Sequence, residues 1–303
     1  MPRLRHSVPF MLLCLSVIAA PLSAVAGESV FGYTYTADTM PKGEQELEVT
    51  LTQRWDKEIG TYNATDALFE YERGLTDKLQ LSVYAQGMRI KSQDAFPLDT
   101  NGEEVYPLDI DLTRMAGYKA ALKYNFLSAY KDPIGLSFVW EVAYWGYFPK
   151  VDGAKTKQFS FEPKVIVQKN FMDDQLIWSY NLALESEYRK FPEGGSENEF
   201  SINHNMGVSY RFARNFYAGL EGRHHMDILN GEKNHNDFFL GPTVQYSSKK
   251  WYVNATYLRQ LDGSKAYTGY DVDAAIYPSA NSRYHLEEDT KNEFRIKFGY
   301  NLD

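Results

Sequence analysis

Apolar and polar residues alternate along this chain, most clearly between Ala64 and Gly87. A period of two is typical of a β-strand with one apolar face and one polar face. Gly74, Thr76 and Asp77 interrupt the alternation with residues that favour tight turns, so this stretch is predicted to be a β-hairpin. The same pattern recurs in runs of about ten residues, the length that a tilted strand needs to cross a bilayer.

Twelve strands are predicted from this pattern. They are the two strands of the 64–87 hairpin and the runs 43–55, 114–127, 135–147, 157–169, 175–189, 200–212, 216–227, 237–246, 251–261 and 291–302. Short and longer connections alternate between them, as short periplasmic turns and longer extracellular loops do in bacterial barrels. The predicted fold is therefore all-β: a single antiparallel transmembrane β-barrel of about 12 strands, in which the first strand closes against the last.

The start of the chain has the features of a secretory signal peptide. Arg3 and Arg5 precede an apolar run, and Ala24-Val25-Ala26 is a small-residue cleavage signal. The predicted organisation is a signal peptide at 1–26, a periplasmic or luminal segment at 27–42 and the barrel at 43–303. Within 27–42, the run Tyr33–Thr36 is compatible with a short strand or with a segment tucked against the barrel mouth.

Composition narrows the class of protein. The chain carries a formal net charge of −8, and removal of Arg3 and Arg5 makes it more negative, which argues against a nucleic-acid partner. The single cysteine is Cys14, so the mature protein is predicted to have no thiol chemistry. Abundant aromatic residues without a long apolar run after residue 26 favour a barrel with a wet interior and aromatic girdles.

Several stretches resemble a family of uncharacterised outer-membrane barrels, similar to the barrel proteins associated with the meta pathway of phenol degradation. The stretches that carry the resemblance are YTYTADTMPKGEQELEVTLTQRW, FEYERGLTDKLQLSVYA, RFARNFYAGLEG and FFLGPTVQYSSKKWYVNATYLRQL. The resemblance implies a Gram-negative outer-membrane barrel that passes small solutes, aromatic compounds among them. The ending KNEFRIKFGYNLD resembles the C-terminal signal read by the barrel-assembly machinery, although Leu302-Asp303 replaces the usual terminal Phe. Lipid and lipopolysaccharide are the other expected partners.

The alternation also assigns charged side chains to the lumen. These predicted lumen-lining residues are Glu46, Glu48, Glu70, Glu72, Lys119, Lys123, Glu141, Glu162, Lys164, Glu185, Glu187, Arg189, Arg211, Glu221, Arg223, Arg295 and Lys297. Charges of both signs can line a water-filled pore or pair into a structural network that fills the barrel, and the sequence favours neither. Closure of the barrel predicts that Glu46 and Glu48 lie near Arg295 and Lys297.

No cofactor, metal site or catalytic group is predicted. His224 and His225 are adjacent, so on a regular strand they point to opposite faces and cannot share an ion; with His235 they lack the spacing of a tetrahedral set. The acidic loop residues, such as Asp94, Asp109 and Glu288, have no calcium-loop pattern and are expected to be solvated.

The expected function is passive passage of small solutes, and the expected protein is not an enzyme. The enzymatic alternative is a membrane-embedded lipid hydrolase, which requires a serine beside a histidine on the lipid face. His204 is predicted to face outward, whereas Ser201 and Ser209 are not. The structural alternative is a plugged barrel that acts through its outer loops.

Overall fold

Twelve antiparallel strands form the protein in the computed structural model, which describes residues 30–57, 59–96, 106–107, 109–148, 151–229, 232–264, 283–286 and 288–302. The predicted signal peptide therefore lies outside the described residues. The strands are β1 (Gln45–Trp55), β2 (Thr61–Thr76), β3 (Leu79–Gln93), β4 (Asp109–Leu127), β5 (Gly135–Tyr147), β6 (Lys155–Phe171), β7 (Leu176–Lys190), β8 (Ser196–Ala213), β9 (Phe216–Leu229), β10 (Glu232–Ser247), β11 (Trp251–Gly263) and β12 (Asn292–Asn301). No helix in these residues is long and apolar enough to cross a membrane.

The strands form one closed barrel in chain order, so the predicted fold and strand number are confirmed. Each strand pairs with its neighbours in sequence, and β1 pairs with β12 from Glu46 opposite Asn301 to Trp55 opposite Asn292. Closure leaves no strand edge unpaired, as a sheet surrounded by hydrocarbon requires.

The two ends of the barrel differ in their connections. At one end, the short-turn end, the strands are joined by 77–78, 128–134, 172–175, 214–215 and 248–250. At the other, the long-loop end, they are joined by 56–60, 94–108, 148–154, 191–195, 230–231 and 264–291. This asymmetry is the one that the sequence predicts for periplasmic turns and extracellular loops.

Several strands extend further toward the long-loop end than the alternation indicates. β4 begins at Asp109 rather than near 114, and β10 begins at Glu232 rather than near 237. In the added part Arg89 and Asp111 form a salt bridge at 2.5 Å between half-exposed or exposed side chains. At the start of β10 both faces of the strand are polar, so the period of two no longer shows. At the start of β4 the pattern is reversed, with Ile110 buried inside and Asp109 and Asp111 exposed outside.

The outer surface is apolar and the inner surface is polar. Phe69, Phe159 and Leu220 are among the large apolar side chains that remain exposed, each by more than half. At the short-turn end the rings of Phe212, Phe216, Tyr246, Trp251 and Phe298 form a continuous series with centroids 4.9 to 6.3 Å apart. Such a ring of aromatic side chains is typical of the interface between a barrel and lipid headgroups.

Candidate functional site: the lumen and its N-terminal segment

The charged residues predicted to face the lumen are all buried or half-buried, and exposed apolar residues alternate with them. The buried residues are Glu46, Glu48, Glu70, Glu141, Lys164, Glu187, Arg189 and Glu221. The half-buried residues are Glu72, Lys119, Lys123, Glu162, Glu185, Arg211, Arg223, Arg295 and Lys297. Because the outer surface is apolar and exposed, burial of these polar side chains places them inside the barrel.

Many of these charges form ion pairs across the interior. Lys119 pairs with Glu141 at 2.7 Å, and Arg223 pairs with Glu293 at 3.1 Å. Further pairs join Lys164 to Glu162, Arg189 to Glu187 and Arg54 to Asp66. Arg223–Glu293 links β9 to β12 across the lumen, whereas the other pairs join residues of the same or neighbouring strands, so much of the charge is balanced locally instead of facing open water.

The expected ion pairs at the seam between β1 and β12 form only in part. Lys297 lies 3.1 Å from Glu48, as predicted. Glu46 instead lies 3.0 Å from the hydroxyl of Tyr252, which also contacts Glu48, while Arg295 donates to Thr52. Tyr252 reaches the seam because the facing residue is Gly299, where a Cβ would occupy the position of the tyrosine ring.

An N-terminal segment, residues 30–42, runs through the lumen. Neither alternative for Tyr33–Thr36 is correct: the run is not a strand of the sheet, and it lies inside the barrel instead of against its mouth. A buried backbone outside a sheet needs other hydrogen-bond partners, and the barrel wall supplies them. The strongest cluster is at Glu221 of β9, whose carboxylate accepts from the amides of Gly32, Tyr33 and Thr34 at 2.6, 2.8 and 3.0 Å.

Side-chain amides of the wall bind the rest of the segment. Asn181 accepts from the Tyr35 amide at 2.7 Å and donates to the Tyr35 carbonyl at 2.9 Å. The Ala37 amide donates to Gln168 at 2.6 Å, and the Met40 amide donates to Gln80 at 2.9 Å. Asn125 and Ser137 donate to the Ala37 carbonyl, and Ser179 donates to the Tyr35 carbonyl. Lys123 donates to the Asp38 carbonyl and Asn254 to the Val30 carbonyl. An asparagine or glutamine can both donate to and accept from a peptide group, which explains why these residue types face the segment.

Side chains of the segment fill pockets in the wall. Phe31 is fully buried against Gly207 of β8, where a Cβ would lie 2.5 Å from the ring. The ring of Tyr33 lies 3.7 Å from the guanidinium of Arg295, which also donates to the Gly32 carbonyl at 3.0 Å. This arrangement combines a cation–π contact with a hydrogen bond from the same side chain.

A polar cavity of about 190 Å³ remains beside the segment, on the side of the lumen formed by β12 and β1 to β4. Residues 32–35 form one wall of the cavity. The barrel side chains that line it include the acidic Glu48, Asp66 and Glu70 and the basic Lys119, Arg295 and Lys297. The lumen therefore keeps a space for several water molecules, lined by charges of both signs, beside residues 32–35.

An apolar cluster narrows the lumen at the long-loop end. Tyr62, Ile90, Phe96 and Val151 are buried together there, and the Tyr62 hydroxyl donates to the Val151 carbonyl at 2.8 Å. These residues come from β2, β3 and two of the long connections. The described parts of those connections therefore fold inward over the β2–β4 side of the mouth.

The histidines separate into two groups. His204 and His224 share the outer face, with ring centroids 5.6 Å apart and the His204 Nδ1 bonded to the Tyr180 hydroxyl at 2.7 Å. His225, His235 and His285 lie inside at the long-loop end and are each less than 10 % exposed. Burial, together with the charge of neighbouring His235, lowers the pKa of His285 to about 3, so this imidazole is neutral at pH 7.

Sequence reasoning missed the groups that hold the segment. Gln168, Asn181 and Gln80 are uncharged, and only the polar alternation of their strands indicated that they face inward. His285 belongs to a loop without periodicity, and no pattern in the chain linked it to His235. Both omissions concern contacts between residues far apart in sequence, for which local patterns carry no signal.

Residues 23–302 match DUF6662, a family of unknown function. An outer membrane channel from Pseudomonas putida F1 superposes with a TM-score of 0.56 at 11 % identity, over 88 % of this chain and 98 % of that chain. The NanC porin superposes with a TM-score of 0.51 at 10 % identity, over 84 % of this chain and 100 % of that chain. No protein of curated function matches the sequence. At these identities the likeness shows the fold, a closed barrel that resembles outer-membrane channels and porins.

Proposed function

Since the chain belongs to DUF6662, a family without an assigned function, we propose a function from the lumen itself: passive passage of small hydrophilic solutes across the outer membrane. The observation that carries this proposal is the cavity of about 190 Å³ beside the N-terminal segment, lined by charges of both signs. Its dimensions suit water, ions and the smallest organic solutes, because a larger molecule requires displacement of residues 30–42.

The polar lining supports hydrophilic solutes as the main cargo. Tyr33 and Tyr35 also contribute to the cavity wall, and Arg295, which lies over the Tyr33 ring, can pair with the carboxylate of a small aromatic acid. Uptake of small aromatic acids therefore belongs to the proposal as its narrower form. Export through the signal peptide at 1–26, insertion by the barrel-assembly machinery and contact with lipopolysaccharide are the steps and partners that this function requires.

Single-channel conductance of the refolded full-length mature chain in a planar bilayer tests the proposal. We expect discrete steps of low conductance, because the segment occupies much of the lumen. Glu48→Gln removes a negative charge that pairs with Lys297 in the cavity lining and is expected to shift the reversal potential toward lower cation selectivity. Glu193→Gln is the matched control, because Glu193 is exposed in the 191–195 connection.

The competing proposal is a closed structural barrel that acts through its outer loops. The hydrogen bonds that Glu221, Asn181 and Gln168 accept from amides of the segment favour it, because they fix the segment in the lumen. A barrel with native circular dichroism that conducts no ions in any variant would contradict the channel and favour the closed barrel. Discrete steps with unchanged selectivity in Glu48→Gln would place the conducting path elsewhere in the lumen.

The lipid face gives no support to the hydrolase alternative. The His204 Nδ1 atom bonds the hydroxyl of Tyr180, not that of a serine. Ser201 and Ser209, the nearest serines of the same strand, are buried on the luminal side, and Ser201 bonds Asp227. A serine nucleophile and its histidine base must lie within hydrogen-bond distance of each other, and these residues face opposite sides of β8.

A further inference from the structure

Three buried histidines and two aspartates meet at the long-loop end of the lumen. His225 and Asp227 lie at the end of β9, His235 lies at the start of β10, and His285 and Asp289 belong to the connection before β12. Potential ligand atoms of His235, His285 and Asp289 all lie within 4.8 Å of one another, and the same holds for His225, Asp227 and His235. His235 is shared by the two groups and stands between the wall and the loop.

Contacts on the wall side orient the imidazoles. The Oδ2 atom of Asp227 lies 2.9 Å from the Nε2 atom of His225 and 3.1 Å from the Nε2 atom of His235. The Nδ1 atom of His225 bonds Asn203, and Ser201 donates to the other oxygen of Asp227. Carboxylate, amide and hydroxyl partners of this kind fix the ring orientation of metal-binding histidines in proteins.

The loop side presents an imidazole without a hydrogen-bond partner. His285 is 3 % exposed, and neither of its ring nitrogens has a partner among the described residues. Its ring stacks on His235 with centroids 4.2 Å apart and nearly parallel planes, so the His285 ring must turn about its side-chain bonds for both imidazoles to bind one ion. A buried imidazole nitrogen without a partner loses the hydrogen bonds it would have in water, so its placement here needs an explanation such as a ligand.

The backbone of the loop is held so that His285 points into the cluster. Gln260 of β11 accepts from the His285 amide and donates to the His285 carbonyl, both at 2.8 Å. Lys57 lies 3.2 Å from the Asp289 carbonyl and 3.5 Å from the Leu286 carbonyl. The position of the imidazole is therefore set by the barrel wall and does not depend on a hydrogen bond of the ring itself.

We propose that this cluster binds one divalent transition-metal ion of the zinc class between wall and loop, with His235, His285 and Asp289 as ligands and Asp227 and His225 positioning the His235 ring. Two imidazoles and a carboxylate match the ligand preference of Zn²⁺, Ni²⁺ and Co²⁺ better than that of Ca²⁺ or Mg²⁺, which prefer oxygen alone. The bound ion links His285 and Asp289 of the connection before β12 to His235 of β10. The binding site does not depend on whether the lumen conducts.

The expectation from the sequence was that no metal site is present, because His224, His225 and His235 lack a suitable spacing along the chain. The fold separates His224 from the others and supplies His285 and Asp289 from a distant loop. The ligands thus come from two segments that are far apart in the chain, so the spacing of histidines within either segment does not indicate a metal site.

Calorimetric titration of the detergent-refolded chain with Zn²⁺ tests the proposal, using protein purified without a polyhistidine tag. We expect one ion per barrel, and Co²⁺ is expected to give the visible absorption of a nitrogen- and oxygen-ligated ion at the same stoichiometry. Ca²⁺ and Mg²⁺ at equal concentration are expected not to compete. Zn²⁺ is also expected to slow proteolysis in the 283–290 region.

Four variants distinguish the proposed metal ligands from the residues that only orient them. His285→Ala is expected to weaken Zn²⁺ binding by more than about 100-fold and His225→Ala by about 10-fold. His204→Ala and His224→Ala are the matched controls, since both side chains face outward, and their affinity is expected to equal that of the parent.

The proposal is overturned if the parent binds no Zn²⁺ or if His285→Ala binds it as tightly as the parent does. Loss of binding in His225→Ala together with full binding in His285→Ala also contradicts it, because the ion would then belong to the wall alone. Circular dichroism of each variant checks that the barrel is folded, and His285 lies outside the strands, which favours normal folding of the decisive variant.

Discussion

Glu221 on β9 accepts a hydrogen bond at 2.6 Å from the backbone amide of Gly32, a residue 189 positions away in the chain. The same carboxylate binds the next two amides and the Thr256 hydroxyl, so it has four donors. Successive amides that converge on one carboxylate form a compact anion-binding arrangement, which makes Glu221 the main attachment of the segment 30–42.

Replacement of Glu221 by Ala is expected to release the segment from the lumen. Three buried amides lose their acceptor, at a cost of about 1–3 kcal/mol each when the segment stays in place. The expected results are cleavage within 30–42 by added protease and a several-fold rise in single-channel conductance. Glu197→Gln is the control, since Glu197 bonds Arg189 on the neighbouring strand. Protection equal to that of the parent would show that the other contacts hold the segment without Glu221.

Addition of a methyl group at Gly207 is expected to loosen the same segment by a steric route. The Cβ of Gly207→Ala would lie 2.5 Å from Phe31, whose ring is fully buried. Overpacking of this kind costs about 1–3 kcal/mol, so proteolysis of the segment is expected to be faster while the barrel remains folded. In the control Gly222→Ala the nearest atoms lie at 3.6 Å, an ordinary contact. Equal proteolysis rates in the two variants would argue against the Phe31 pocket as an anchor.

A disulfide between residues 37 and 135 is expected to lock the segment reversibly. The Cβ position of Gly135 lies 3.0 Å from the Cβ of Ala37 and 2.9 Å from the Cβ of Ala129. The first distance is shorter than the roughly 3.5–4.5 Å that disulfides span, so a small outward shift at residue 135 is expected when the bond forms. In the double variant Ala37→Cys/Gly135→Cys, oxidation is expected to abolish any slow opening and closing of the conductance, and a reductant is expected to restore it. The single variants, treated in the same way, are the controls. The chain has one natural cysteine, Cys14, within the predicted signal peptide, so the engineered pair has no competitor in the mature protein.

The ion pair between Lys297 and Glu48 is expected to stabilise the seam between β12 and β1. Lys297→Glu places two carboxylates side by side and is expected to lower the free energy of unfolding by about 3–5 kcal/mol. The double variant Glu48→Lys/Lys297→Glu is expected to recover part of this loss. Recovery remains incomplete, because Glu48 also accepts from Thr50 and Tyr252 and a lysine cannot. Urea titration of the folded barrel measures both values, and no recovery at all would count against the pair.

The sequence was sufficient for the barrel because each strand repeats one simple pattern. Phe69 and Glu70 illustrate it: the first is 52 % exposed on the outer face and the second is buried in the lumen. Every strand of such a barrel has an apolar outer face and a polar inner face, so the alternation of residue types is strong along each strand. The number of strands can therefore be counted from the sequence. The start of β10 was missed because both of its faces are polar, and the start of β4 because its apolar residue Ile110 faces inward, opposite to the rest of the strand.

The contents of the lumen were less predictable, since they depend on pairs of residues far apart in the chain. Glu221 was assigned to the lumen by alternation, but its three backbone partners were not foreseen. These partners are backbone amides, so a pattern of side chains along the sequence cannot predict them. The segment also lacks the period of two that marks a strand. The same reason applies to His235 and His285, whose contact is defined by the fold alone.

The attachment of the segment has a consequence for the order of events during assembly. Its partners Gln80, Gln168, Asn181, Glu221 and Asn254 belong to five different strands, so they are brought together only when the sheet has closed. Contacts between such distant residues carry a large loop-closure entropy and form late in folding. We therefore expect residues 30–42 to be the last described part of the chain to reach their native position, and an incompletely closed barrel to leave them accessible to proteases and chaperones.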